Sequence, residues 1–121
     1  MKYFMQTFGP VDGFAEGTVS KEWITEMIQF MHRLDEDLRK SGELVDAQGL
    51  AWPNQAKTVR FTNGKSIPTD GPFAEAKEAL VGYWVLDVEN EARAIEIASR
   101  VVDYIKHPIE LRQIMDAPPE V

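Results

Sequence analysis

Residues 81–105 read VGYWVLDVENEARAIEIASRVVDYI, and this stretch decides the fold. Residues 81–88 are mostly aliphatic or aromatic and predict a strand. Asn90 is a favourable N-cap for an amphipathic helix that runs to about Ile105. The helix positions that we expect to face the core are Ala94, Ile95, Ala98, Val101, Val102 and Ile105. The stretch therefore forms one strand–helix unit.

The beginning of the chain shows the same order. Residues 2–8 are β-prone and end at Gly9-Pro10. A helix is then predicted from about Ser20, its N-cap, to Lys40, with Gly42 as its stop. Apolar residues spaced by three and four positions form one buried stripe along a helix. In this helix the stripe consists of Trp23, Ile24, Met27, Ile28, Met31, Leu34 and Leu38.

A hairpin is predicted in the middle of the chain. Asn63-Gly64 is the strongest hairpin signal in the sequence, since both residues tolerate the positive φ of a type I′ turn. The turn should pair the alternating run Val59–Phe61 with Ser66–Ile67. We expect Pro68 and the turn Asp70-Gly71-Pro72 to end this pairing.

Residues 43–50 and 109–115 complete the predicted strands. The resulting order is β-α-β-hairpin-β-α-β. It predicts an α+β fold, a ferredoxin-like split βαβ sandwich in which two helices cover one face of an antiparallel sheet. We interpret residues 1–115 as a single domain and residues 116–121 as a C-terminal tail.

Both faces of the predicted sheet are apolar. Along the strand of residues 81–88, Trp84, Leu86 and Val88 alternate with Val81, Tyr83 and Val85. Two helices cover only one face, so the second face requires another cover. We predict a homodimer through the sheet face, related by a two-fold axis. The alternative is that the loop of residues 9–19 or the tail folds over that face.

Charge and composition exclude several classes of protein. Thirteen Lys+Arg against twenty Asp+Glu give a net charge of −7, which disfavours nucleic acid and anionic membranes as partners. The chain has no cysteine and no glycine-rich phosphate loop, so no cofactor is implied. The longest non-polar run, Val81–Leu86, is far too short for a membrane span, and no signal peptide is evident. We expect a cytoplasmic protein.

Outside residues 69–78, the histidines and carboxylates of the chain include few candidates for catalysis. His32 and His107 are the two histidines, and histidine is the usual general base near neutral pH. His32 lies beside the apolar stripe of the first helix, where a solvated flank residue is the simpler interpretation. The acidic run Asp35-Glu36-Asp37 covers a wide helical arc and is interpreted as a solvated face, not a metal site. No motif for a metal is present.

The segment TDGPFAEAKE, residues 69–78, is the main candidate for a site. Asp-Gly-Pro alone is turn chemistry. Four ionisable groups in one loop before the most apolar strand are more than a turn requires, and such loops often carry ligand sites. The predicted ligand-binding residues are Asp70, Phe73, Glu75, Lys77, Glu78 and Trp84. Trp84, Tyr83 and Phe61 are expected to supply aromatic walls.

Asp70–Glu78 resembles the signature DGPFAETKE of the DGPF branch of the YCII-related proteins, with Ala76 in place of Thr. The resemblance implies a ferredoxin-like fold that dimerises into an α/β barrel. In another branch, a His-Asp pair in a cleft has been taken as an active site, and the helix-one histidine would fall near Met31 or His32. Members of the DGPF branch often lie beside or are fused to extracytoplasmic-function sigma factors, which implies a regulatory, ligand-binding role.

Three functions remain open at this point. The first is a small-molecule binding module with the 70–78 loop at the rim of its pocket. The second is an enzyme acting on a small aromatic or cyclic compound, with Asp70 as acid/base assisted by His32 or by a carboxylate of the motif. Apolar walls would raise the pKa of the Asp70 carboxyl towards neutrality. The third is a purely structural motif in which Asp70 caps the turn.

Overall fold

The computed structural model describes residues 1–10, 20–72 and 77–118. These residues form an α+β structure with antiparallel sheets, as the sequence predicts. In chain order the elements are β1 (Lys2–Pro10), α1 (Lys21–Ser41), β2 (Leu44–Gly49), a 3₁₀ turn (Pro53–Gln55), β3 (Lys57–Thr62), β4 (Lys65–Asp70), β5 (Glu78–Asp87), α2 (Glu91–Ile105) and β6 (Ile109–Gln113).

The main sheet has the strand order β2-β5-β1-β6, and each neighbouring pair is antiparallel. This order is compatible with the predicted ferredoxin-like arrangement, in which the two strands that precede the helices lie side by side in the centre. Strands β3 and β4 form a separate two-stranded sheet. Within the described residues, neither helix is long and apolar enough to cross a membrane.

Both helices begin where the sequence places their caps. The Ser20 side chain accepts a hydrogen bond from Trp23 N at 3.0 Å, and Asn90 Oδ1 accepts one from Arg93 N at 2.9 Å. Gly42 ends α1 in the left-handed conformation (φ 79°), and its N–H donates to the carbonyl of Arg39. These caps satisfy backbone groups that the first and last turns leave unpaired.

The core lies between the helices and the inner face of the main sheet. Its largest fully buried side chains are Met5, Leu34, Leu38, Leu86 and Val101. Ile95 was predicted to face this core but is 51% exposed, and Ile97 is buried instead. The helical period explains the correction, because Ile97 lies on the face of Ala94, Ala98 and Val101, whereas Ile95 lies at its edge.

Only the C-terminal half of α1 packs on this core. Phe30, Leu34 and Leu38 are its buried residues, whereas Ile24 and Ile28 of the predicted stripe are exposed. Phe30 was missing from the predicted stripe, and its ring stacks on Tyr104 with centroids 4.3 Å apart. The N-terminal half of α1 therefore contributes no fully buried residue to this core.

The predicted hairpin is present, but its second strand is longer than expected. Asn63 (φ 53°) and Gly64 (φ 75°) form the turn, and Arg60 and Phe61 pair with Ile67 and Ser66. Pairing continues through Pro68 to Asp70, so the prediction that Pro68 ends it is wrong. Hydrogen-bonded and non-hydrogen-bonded pairs alternate along the hairpin, starting with a hydrogen-bonded pair next to the two-residue turn. Pro68 lies in a non-hydrogen-bonded pair, so its missing N–H removes no hydrogen bond between the strands.

Candidate functional site

A cavity of about 870 Å³ lies at the end of the main sheet, beside the N-terminal half of α1. Its walls come from the C-terminal ends of β1 and β2, the first four turns of α1, β5 and the C-terminal end of α2. The helices differ in length, with 21 residues in α1 and 15 in α2. The extra turns of α1 carry apolar side chains past the buried core and over this cavity.

The α1 wall is apolar. Trp23, Met27, Ile28 and Met31 line the cavity. The sequence predicts these residues to be part of one continuous buried stripe. They lie on the predicted side of the helix, but they line the cavity. Because the core cluster contains Phe30, Leu34 and Leu38 from α1, most of the preceding stripe faces the cavity. The sequence signal for this arrangement was the length of the apolar stripe, which extends beyond the part of α1 that packs on the core.

Asp35 and Trp84 form a polar contact in the wall of the cavity. Trp84 Nε1 donates a hydrogen bond to Asp35 Oδ1 at 2.8 Å, and both residues line the cavity. Trp84 is buried and Asp35 is half-buried. The interpretation of Asp35 as part of a solvated face is therefore wrong. Its position four residues after Met31, on the apolar stripe, was the signal that distinguishes it from its acidic neighbours.

The other two carboxylates of the acidic run lie in solvent, as predicted. Glu36 pairs with Lys40 at 3.4 Å, and Asp37 accepts a hydrogen bond from Arg100 Nη2 at 2.8 Å. Both carboxylates are exposed. The run thus divides into two surface ion pairs and one cavity residue.

Gly82 and Tyr83 contribute to the β5 wall. A Cβ on Gly82 would lie 3.2 Å from Thr7 Oγ1 and 3.3 Å from the carbonyl oxygen of Gln48, so the close approach of three strands favours glycine here. The Tyr83 hydroxyl donates to Asp46 Oδ2 at 2.9 Å. This hydrogen bond, followed by desolvation and the negative charge of Asp46, raises the pKa of the Tyr83 phenol above its ordinary value.

Four further ionisable side chains also line the cavity. His107 Nε2 lies 3.2 Å from Glu78 Oε1, and both residues line the cavity together with His32 and Lys106. Of the predicted site residues, the structure thus brings His32, Glu78 and Trp84 to one cavity. Within residues 1–10, 20–72 and 77–118, no cluster of three or more histidine or carboxylate side chains could hold a metal ion.

Asp70 lies elsewhere, at the exposed end of β4. Its carboxylate accepts a hydrogen bond from the Lys57 ammonium, and that bond together with the positive charge holds the pKa of Asp70 below its ordinary value. The expected upward shift is wrong, because solvent and an ammonium surround this carboxylate in place of apolar walls.

The remaining predicted residues are not gathered around the cavity either. Phe61 is 79% exposed on the hairpin and is not part of the cavity wall. Lys77 is exposed and also lies outside the wall. Phe73 and Glu75 lie outside the described residues. The structure therefore separates Asp70 and Phe61 from the partners that the sequence assigns to them.

Comparisons with known proteins identify the family. The profile of the YCII-related domain matches residues 15–117. An uncharacterised protein of Rhizobium meliloti (strain 1021) is 30% identical over 79 residues, which cover 65% of this chain and 64% of that relative. The match thus spans slightly less than two thirds of the relative's length. The domain match covers most of the described structure, from α1 to β6, and the chain belongs to the YCII-related family.

Proposed function

We propose that this chain binds a small, largely apolar molecule in the cavity beside α1. The observation that carries the proposal is the α1 wall: the apolar residues Trp23, Met27, Ile28 and Met31 line the cavity. Covering apolar side chains contributes about 25 cal/mol for each Å² removed from water, so these residues supply a driving force for binding. The DGPF resemblance suggests that binding serves regulation, in association with sigma factors.

The size and lining of the cavity suit an aromatic or cyclic compound. Its volume of about 870 Å³ lies within the range of about 300–1,000 Å³ typical of small-molecule sites. Trp23 in α1 and Trp84 in β5 supply flat apolar surfaces on different elements. Rings of this kind pack favourably against a planar ligand.

The proposal is tested with 2-phenylethanol, a neutral aromatic probe, and saturation-transfer NMR. We expect the probe to bind the wild-type chain and to lose at least about tenfold in affinity when Met27→Arg places a charged side chain at the α1 wall. Ile95→Arg is the matched control, because Ile95 is an exposed isoleucine of α2 outside the cavity wall. Equal binding by all three proteins would refute the proposed site.

Catalysis in the same cavity is the second candidate function. His32 lines the cavity, whereas Asp70 does not, so His32 is the acid/base that this alternative would use. The test is turnover of small aromatic or cyclic compounds, followed by mass spectrometry. His32→Gln should abolish turnover while the probe still binds. Turnover that survives His32→Gln would rule out this assignment.

We also propose a homodimer through the outer face of the main sheet. Phe4 and Tyr83 form a tilted ring pair with centroids 5.1 Å apart, and Val85 lies beside them opposite Phe4 on the neighbouring strand. All three are only half-buried in the single chain, and they alternate with the residues that face the helices. A second copy would bury this patch.

Sedimentation equilibrium tests the dimer. We expect a mass of twice the 13.7 kDa of one chain, and we expect Val85→Asp to shift the particle towards the monomer. Ile95→Asp, on an exposed helix position, should leave the mass unchanged. A wild-type chain that sediments as a monomer would contradict the proposal.

A further inference from the structure

The immediate surroundings of Asp35 differ from those of its neighbours on α1. Glu36 and Asp37 each face a cation, Lys40 and Arg100 respectively. In the described part of the chain, no ammonium or guanidinium group lies within 4.0 Å of the Asp35 carboxylate. The partner of Asp35 is the neutral N–H of Trp84. A half-buried carboxylate is thus held at the cavity without a counterion of its own.

The hydrogen bond from Trp84 leaves acceptor capacity on Asp35. An ionised carboxylate accepts hydrogen bonds at both oxygens, and the indole of Trp84 occupies Oδ1 only. Across the described residues, Oδ2 has no protein donor. The indole N–H fixes the carboxylate, so a ligand entering the cavity meets an oriented, negatively charged acceptor beside the apolar side chain of Met31.

We propose that Asp35 anchors a protonated amine carried by an aromatic or other apolar body. This inference rests on the proposed function and names the chemical class of its ligand. A charge-assisted hydrogen bond from an ammonium to Asp35 is stronger than one from a neutral donor. The rings of Trp23 and Trp84 line the same cavity, and indole faces attract cations.

Of the other ionisable side chains that line the cavity, His32, Glu78 and Lys106 are more exposed than Asp35. His107 faces Glu78, while His32 and Lys106 have exposed side chains. Lys106 and a protonated His32 would favour an anionic ligand instead. Solvent screens exposed charges more strongly than half-buried ones, so Asp35 should decide the preference.

Three probes with one phenyl ring separate these possibilities: 2-phenylethylamine, which is protonated at pH 7, neutral 2-phenylethanol, and anionic 3-phenylpropionate. Affinities are measured by saturation-transfer titration at one ionic strength. We expect the amine to bind about tenfold more tightly than the alcohol, and the acid to bind most weakly. Asp35→Asn should reduce the advantage of the amine to about twofold or less while binding of the alcohol is retained.

Asp37→Asn is the matched control, because Asp37 is an exposed aspartate of the same helix that pairs with Arg100 outside the cavity. It should leave the amine-to-alcohol ratio unchanged. Trp84→Phe removes the N–H that orients the Asp35 carboxylate and keeps an aromatic ring. We therefore expect it to lower the amine-to-alcohol affinity ratio by about threefold, which is less than the effect of Asp35→Asn. This variant also tests the proposal if Asp35→Asn does not fold.

The outcomes distinguish this inference from the proposed function. If the alcohol binds but the amine has no advantage, or the acid binds most tightly, the assignment of Asp35 is overturned while the cavity remains a binding site. If Asp35→Asn keeps the full preference for the amine, the assignment is overturned as well. If none of the three probes binds, the proposed function itself fails, and the inference fails with it.

Discussion

The main sheet and the β3–β4 hairpin are both antiparallel and both carry alternating apolar side chains, but burial separates them. Met5 and Leu86 on the inner face of the main sheet are completely buried, whereas Val59 and Phe61 on the hairpin are 67% and 79% exposed. Helices cover the first set and solvent contacts the second. The comparison shows that β-prone alternation specifies strand pairing, whereas stability depends on what covers the strand.

Truncation of the core under the main sheet should have the largest effect. Leu34 is fully buried between α1 and the sheet. We expect Leu34→Ala to lower the free energy of unfolding by about 2–5 kcal/mol, because it removes apolar contacts and leaves a cavity. Urea denaturation monitored by circular dichroism measures this change. A loss below about 1 kcal/mol would contradict the assignment of the core.

A bidentate ion pair next to the core should have the second-largest effect. Arg93 Nε and Nη2 each donate to the Glu43 carboxylate at 2.8 Å. We expect Glu43→Gln to lower the free energy of unfolding by about 1–2 kcal/mol at pH 7, since a charge-assisted bond is lost. Glu96→Gln is the control, because Glu96 contacts the same Arg93 at 3.4 Å from an exposed position.

This ion pair also predicts a pH dependence. The hydrogen bond from Arg93 lowers the pKa of Glu43 below its ordinary value of 4.5, although partial burial opposes the shift. A carboxylate whose pKa is lower in the folded state stabilises the fold above the unfolded pKa and loses that contribution as the pH falls through the folded pKa. The difference between wild type and Glu43→Gln should therefore shrink as the pH is lowered below 4.5. An undiminished difference down to pH values where wild type unfolds would contradict the assigned cause.

Removal of the N-cap of α2 should lower the free energy of unfolding by an intermediate amount. Asn90 Oδ1 accepts the hydrogen bond of Arg93 N at the start of α2. We expect Asn90→Ala to cost about 1 kcal/mol and Asn90→Ser to restore most of it, since serine accepts the same bond. Thermal and urea denaturation of both variants test this expectation. Equal losses in the two variants would assign another role to Asn90.

Truncation on the hairpin should have the smallest effect. Phe61→Ala removes an exposed ring from β3, so we expect the free energy of unfolding to change by no more than about 0.5 kcal/mol. Hydrogen exchange should show faster exchange confined to the hairpin amides. A loss above about 1 kcal/mol would show that Phe61 is covered in the native particle, and the contrast between the two regions would then disappear.

The features predicted correctly from the sequence are those that neighbouring residues determine. Ser20 and Asn90 cap helices, and Asn63-Gly64 forms a turn, because each acts on a backbone group within a few residues. The extension of β4 through Pro68 was missed because it depends on the hydrogen-bonding phase of the whole hairpin. Caps and turns can be predicted from neighbouring residues in a sequence. Which pairs of a hairpin are hydrogen-bonded is harder to predict, because it depends on the register of both strands.

The candidate site was less predictable for a related reason. The motif singles out Asp70, but an exposed Lys57 is its partner. Asp35 was assigned to solvent, and it lies at the cavity because the indole of Trp84, 49 positions later in the chain, meets it there. The apolar stripe of α1 indicates the side of the helix on which Asp35 lies, but the α1 sequence does not show that Trp84 lies opposite it.

The register shift in the pairing of β1 with β5 determines where a residue of β5 can be deleted without moving the core side chains. Thr7 pairs with Gly82 and Phe8 with Leu80, so Val81 is an extra residue in β5. Deletion of Val81 would leave all the pairs with β1 in place and would remove one bond from Leu50 N and part of the cavity wall. Deletion of one residue between 82 and 87 would reverse the alternation and move core side chains to the opposite face. Homologues with a β5 one residue shorter should therefore lack a residue at position 81, and their cavities should differ in shape while their cores stay alike.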